Sequence, residues 1–119
     1  MKKENVLLTK SFAFAIRIVK LYQFLVTEKK EYVLSKQLLR SGTAVGALVR
    51  EAQNAESTKD FIHKLGIAQK ECDETSYWLE LLKETGYLTL TEFESIHENT
   101  TELLKIIRSS ILTLKQKNS

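Results

Sequence analysis

No proline occurs anywhere in this chain of 119 residues. Ordinary usage is about 5% proline. Proline removes a backbone donor and clashes inside helices, while turn-rich β folds use it freely. Its absence, with only four glycines, leaves the chain free to run in long unbroken helices. The apolar residues agree: Leu8, Phe12, Ala15, Val19, Tyr22 and Val26 alternate steps of four and three and return to one helix face. A second row, Phe14, Ile18, Leu21 and Leu25, runs beside the first, making the apolar sector wider than one core-facing stripe requires. The first row is expected to face the core. The second fits either another helix of the same bundle or a second subunit.

The polar segment Thr27 to Glu31 predicts a connection, after which Ser35 is placed to cap a second helix with Leu34, Leu38, Val45, Leu48 and Ala52 on one face. Leu39, Gly42, Gly46 and Val49 form an adjacent row. A helical glycine costs about 1 kcal/mol relative to alanine. Close approach of another backbone offsets that cost; the alternative is a helix that tolerates its glycines or kinks there. Ser57 to Asp60 reads as a capping box opening a third helix on Phe61, Leu65, Ala68, Cys72, Thr75, Leu79 and Leu82, and Gly86 stops it. Thr91 to Glu94 repeats the start signal before Phe93, Ile96, Thr100, Leu103, Ile107 and Leu114, and the tail Lys115 to Ser119 is expected to fray. Four helices with short connections predict an all-α fold: one antiparallel up-down-up-down four-helix bundle over residues 1–119.

Composition narrows the class. With 43% hydrophobic and 28% charged residues, the chain suits one globular domain. A single cysteine, Cys72, forms no disulfide within the chain and supplies no cysteine-based zinc site. Arg17 and Lys20 interrupt the apolar stretch Phe12 to Val26, well short of a membrane span. Lys2 and Lys3 resemble the start of a signal peptide, but Lys10 and Arg17 break the apolar segment that should follow. A cytoplasmic location without membrane contact is expected.

Catalytic patterns are incomplete. Glu94-Ser95-Ile96-His97 supplies half of a ferritin-like di-metal set. The other half needs a second Glu-x-x-His and further carboxylates, yet the first helix holds no Asp or Glu between Glu4 and Glu28. Cys72 falls in an apolar row, as a small core residue does, and His63 has no partner visible in sequence. No phosphate loop, HExxH or GxSxG is present. The expectation is no catalytic residue, no metal and no cofactor.

Charge is uneven. Residues 1–50 hold ten Lys/Arg against three Glu, for +7, and residues 51–119 hold eight against twelve, for −4, together the net +3. Lys10, Arg17 and Lys20 lie opposite the first helix's apolar row, and Lys36, Arg40 and Arg50 opposite the second's. Together they make one basic face, suited either to phosphates or to solvent. Glu71 and Glu74 share a row with Ile67, Trp78 and Leu81. That mixture suits either a bundle rim or an interface of aromatic anchors and paired charges, with Arg40 and Arg50 as partners.

The run Arg40-Ser41-Gly42-Thr43-Ala44-Val45-Gly46-Ala47, then Arg50-Glu51-Ala52, Lys59 through Ala68, Glu71, Glu74 and Tyr77-Trp78-Leu79 resembles the bacterial four-helix-bundle family associated with 23S ribosomal RNA intervening sequences. The resemblance reaches from Lys10-Ser11-Phe12 into the fourth helix. That family is similar in fold to the accessory variability determinant of diversity-generating retroelements, a pentameric barrel that binds nucleic acid and a reverse transcriptase. The resemblance therefore implies a homopentameric binding protein, not an enzyme, with RNA or DNA as partner. The expected nucleic-acid contacts are Lys10, Arg17, Lys20, Lys36, Arg40 and Arg50. The expected subunit interface is Phe14, Ile18, Leu21, Leu25, Gly42, Gly46, Glu71, Glu74 and Trp78. The rival expectation is a protein adaptor or accessory subunit, for example of a reverse transcriptase, that does not itself touch nucleic acid.

Overall fold

Helix stop and start signals divide the chain. In the computed structural model, which describes residues 3–117 with side chains from residue 6 onward, they bound four helices. These are α1 (Lys3–Thr27), α2 (Leu34–Ala52), α3 (Thr58–Glu84) and α4 (Leu90–Lys117). Lys2, Asn118 and Ser119, which entered the readings of the two termini, lie outside the described residues. Each helix packs on two neighbours, α1 on α2, α2 on α3, α3 on α4 and α4 back on α1, with no backbone approach across the diagonals. The result is an all-α four-helix bundle of 48 × 22 × 22 Å. Its adjacent-helix packing is that of an up-down-up-down path.

The caps explain the boundaries. Ser57 accepts from the Asp60 amide at 3.0 Å, and the Asp60 carboxylate accepts from the Glu56 amide at 3.2 Å. The predicted capping box is therefore formed, its return bond shifted by one residue. At the other end of α3, the Gly86 amide donates to Lys83 and the Tyr87 amide to Leu82. This Schellman pairing needs the left-handed Gly86, at φ 86°.

Two predicted starts differ from those observed. Ser35 is not the cap of α2. Glu31, itself buried, turns its carboxylate onto the amides of Val33, Leu34 and Ser35 at 2.8–3.1 Å, and the Ser35 hydroxyl donates back to the Glu31 carbonyl. A carboxylate there satisfies three otherwise orphaned donors and meets the positive end of the helix dipole. The α4 box is Thr89 with Glu92, not Thr91 with Glu94. The two Thr-x-x-Glu boxes overlap in sequence, and the turn after Gly86 selects the first. At the far end Lys115 to Lys117 stay helical and do not fray.

Packing reverses the two rows of α1. Phe14, Ile18 and Leu25 are 2%, 0% and 0% exposed, buried in the chain's own core with Leu38, Val45, Leu65, Leu79, Leu103 and Ile107. They leave no surface for another subunit. Leu21 is half-buried and packs against the same core. Phe12 and Val19, expected inside, are 53% and 38% exposed, and Ile16 beside them is 44% exposed. The cause lies on α2. A Cβ on Gly42 would stand 2.7 Å from Ile18, and one on Gly46 3.1 Å from the Ser11 carbonyl oxygen. The glycines therefore admit α1 through Ser11 and Ile18, and that rotation carries Phe12 outward. Gly42 is buried within the chain by this contact, so it too is no subunit interface.

Candidate interaction surfaces

Four side-by-side helices present four seams, and each carries a different chemistry. The α1/α2 seam is covered by Leu8, Phe12, Ala15, Thr43, Gly46, Ala47 and Arg50, which line a groove of about 460 Å3. Phe12 in this groove, with Ile16 and Val19 one and two turns farther along α1, forms an exposed apolar row. The Arg50 guanidinium lies over the Phe12 ring, 5.3 Å from its centroid. A cation on an aromatic face holds both side chains at the surface. Gly46, half-buried, forms part of this floor.

On the α2/α3 seam, Arg40 pairs with Glu71 at 3.2 Å and with Glu74, and the Trp78 indole N–H donates to Glu74 at 3.1 Å. The expected partnership of Arg40 with the two carboxylates is therefore present within one chain. Arg50 does not join it. Tyr77, exposed, meets Trp78 edge-on at 5.0 Å. Beneath, the Thr75 and Ser41 hydroxyls lie 2.9 Å apart, and Thr75 donates to the Glu71 carbonyl at 2.7 Å. Among the described residues no buried side-chain polar atom lacks a partner.

The α1/α4 seam is bridged by polar side chains. Lys10 pairs with Glu102 at 3.1 Å, and Arg17 donates to the Asn99 side chain at 2.5 Å, the Ser95 hydroxyl at 3.0 Å and the Ser95 carbonyl at 3.2 Å. Beside Arg17 and Lys20, a groove of about 470 Å3 opens over Leu21, Phe24 and Ile96, with Glu92 on its far wall.

The six predicted basic residues therefore do not make one face. Lys10 and Arg17 are engaged on the α1/α4 seam, Arg40 on the opposite α2/α3 seam and Arg50 on the α1/α2 seam. Helix angle explains the dispersal. Residues opposite the predicted row on α1 and those opposite the predicted row on α2 point along different edges of a square bundle once α1 has turned. Lys20 and Lys36 form no ion pair among the described residues.

A basic groove missed in the sequence lies at the end of the α3/α4 seam. Thr58, Lys59, Ile62, His63 and Lys115 line about 610 Å3 there. The signal was present: Lys59 and His63 are four apart in the first turns of α3, and Lys115 is in the last turn of α4. Antiparallel helices bring a first turn beside a last turn.

Reactive groups are placed for packing. Cys72 is buried in the core, and its thiol donates to the Thr100 carbonyl at 3.4 Å. Burial first, and then the Asp73 carboxylate, push its pKa up to about 12 against the opposing effect of Arg108. Such a thiol supplies almost no thiolate at neutral pH. His97 of the Glu-x-x-His pattern stacks on Phe93 at 4.7 Å. Among the described residues no three His, Cys, Asp or Glu side chains gather as a metal site, and no helix is long and apolar enough to cross a membrane.

No curated protein is significantly similar to the chain. Among solved structures, a protein of unknown function from the S23 ribosomal protein family of Bacteroides thetaiotaomicron VPI-5482 is 56% identical to it. The match covers 92% of this chain and 98% of that one, with a TM-score of 0.91. Residues 3–109 match the family described as the 23S rRNA-intervening sequence protein. The fold and the run from Arg40 to Leu79 thus have one explanation: this chain belongs to the 23S rRNA-intervening sequence protein family.

Proposed function

We infer that the chain is a non-enzymatic binding protein that works as a homo-oligomer, with the assembly and not the single bundle holding RNA or DNA. The observation that carries this reading is the row of Phe12, Ile16 and Val19 on α1, left 53%, 44% and 38% exposed, with Phe12 in a groove that Ala15, Gly46 and Ala47 also line. Removing a large apolar side chain from water stabilises an association by about 1.5–3 kcal/mol before ordering costs. A contiguous apolar stripe with a charged edge is how contact surfaces are built. A closed ring of five, as the family resemblance implies, needs two different faces in contact. The α2/α3 seam, with exposed Tyr77 beside Trp78 and the Arg40–Glu71–Glu74 cluster, supplies the second. Two carboxylates against one guanidinium leave that cluster with one negative charge in excess, opposite in sign to Arg50 on the first seam, where Glu51 is paired with Lys64.

The nucleic-acid part of the reading follows from repetition. One bundle carries a net charge of only +3, with its cations divided among seams. Several copies in a ring place weak basic patches at fixed spacing, and avidity multiplies them. Titrating labelled single-stranded RNA and DNA with the wild type and with Phe12→Glu tests this. Binding that weakens with salt in the wild type and is lost in a folded Phe12→Glu monomer supports the reading. Unchanged binding by that monomer contradicts the dependence on assembly. Absence of binding by the wild type at low salt favours the protein-adaptor function.

A further inference from the structure

We propose that the groove at the α3/α4 end, lined by Lys59, Ile62, His63 and Lys115, is the site that takes the phosphodiester backbone of RNA or DNA. This assignment rests on the reading that the protein binds nucleic acid and says where. Its first support is charge. Four other grooves on the surface each carry a carboxylate: Glu92 beside Arg17, Glu51 beside Arg50, and Glu98 or Glu102 along the middle of the α1/α4 seam. The α3/α4 groove has none among its lining residues.

The second support is what the neighbouring charges already do. Among the described residues Lys59 and Lys115 form no ion pair, whereas Lys10, Lys64 and Arg40 are held by Glu102, Glu51 and the Glu71–Glu74 pair. Asp60, adjacent in sequence, has its carboxylate turned onto the Glu56 amide as part of the α3 cap. The ammonium groups of Lys59 and Lys115 are thus available to an external anion.

The third support is shape. Ile62 lines the groove together with Thr58, Lys59, His63 and Lys115, so it offers an apolar side chain beside several donors. A nucleotide has a matching division, with a phosphate for the lysines and a sugar or base face for Ile62. The lining residues include no Arg, Asn or Gln, the side chains that read base edges most specifically. Contact through phosphates alone gives binding that is steeply salt-dependent and tolerant of sequence.

The test is fluorescence anisotropy of labelled RNA and DNA of one sequence, titrated with the full protein over a range of salt. Lys59→Glu/Lys115→Glu is compared with Lys20→Glu/Lys36→Glu, which changes the net charge equally, from +3 to −1 per chain. Circular dichroism and light scattering confirm that both variants keep their helicity and size. Expected is a loss of about tenfold or more for the Lys59/Lys115 pair, with a log–log salt slope shallower by about 2 for each engaged groove. The Lys20/Lys36 pair should lose less and keep the slope. Equal losses from both pairs, or a larger loss from Lys20/Lys36, overturn the site while leaving nucleic-acid binding intact. Displacement of RNA by polyglutamate as readily as by unlabelled RNA overturns the assignment to phosphate. A wild type that binds neither RNA nor DNA removes both the site and the reading on which it rests.

Discussion

One helix, α1, meets its two neighbours in opposite ways. Against α2 it descends into Gly42 and Gly46, so closely that a single added methyl would stand 2.7 Å from Ile18. Against α4 it is bridged by Arg17 and Lys10, with an open groove between Leu21, Phe24 and Ile96. The close seam is made by removing side chains and the open one by lengthening them. Close approach on one side rotates α1 and leaves Phe12, Ile16 and Val19 uncovered. The surface thought to matter for assembly is therefore a by-product of the glycine contact, and substitutions on the two seams should differ in size and sometimes in sign.

The largest effect belongs to the close seam. Ile18→Ala deletes a fully buried side chain that fills the hollow over Gly42, and urea unfolding should register a loss of about 3 kcal/mol. A loss below about 1 kcal/mol would mean that the seam collapses to fill the gap. Next come the glycines. Gly42→Ala should lose about 1–2 kcal/mol despite its better helix propensity, because the Ile18 branch atoms at 2.7 and 2.8 Å must move. In an Ile18→Ala background the same change should become neutral or favourable, a coupling that only direct contact produces. Gly66 provides the contrast. Nothing lies within 4 Å of a Cβ built there, so Gly66→Ala should raise stability by about 0.5–1 kcal/mol, read as a higher urea midpoint. The open seam should respond least. Arg17→Ala should cost less than about 1 kcal/mol, and Lys10→Ala only a few tenths, since exposed polar bridges are screened and flexible. A loss from Arg17→Ala as large as that from Ile18→Ala would erase the distinction.

Much of this is legible in the sequence. The absence of proline, the Ser57–Asp60 box and Gly86 set the number of helices and the limits of α3, because caps and stops act locally. The run from Arg40 to Leu79 pointed to the family. The orientation of α1 was not legible, since its two apolar rows are equally hydrophobic and periodicity does not rank them. The deciding residues were small and polar, Ser11 on α1 and the glycines of α2, and an apolar count gives them no weight. Glu31 escaped for a related reason: its capping role depends on the left-handed Lys30, at φ 56°, which folds the connection back so that the carboxylate reaches the amides of α2. Of the expected interface residues, Phe14, Ile18 and Leu25 lie inside because they belong to the row that packing turns inward, and Gly42 because Ile18 covers it. The expected basic face disperses because helical periodicity orders residues on one helix only, whereas the α3/α4 groove forms where two helix ends lie side by side.

The central claim is that the outward row of α1 joins subunits. Multi-angle light scattering of the purified protein, beside Phe12→Glu/Val19→Glu, tests it most directly. The wild type should weigh several times 13.7 kDa, with five copies expected from the family resemblance. The double variant should be a monomer of unchanged helicity. A monomeric wild type, or a variant that keeps the wild-type mass, would contradict it.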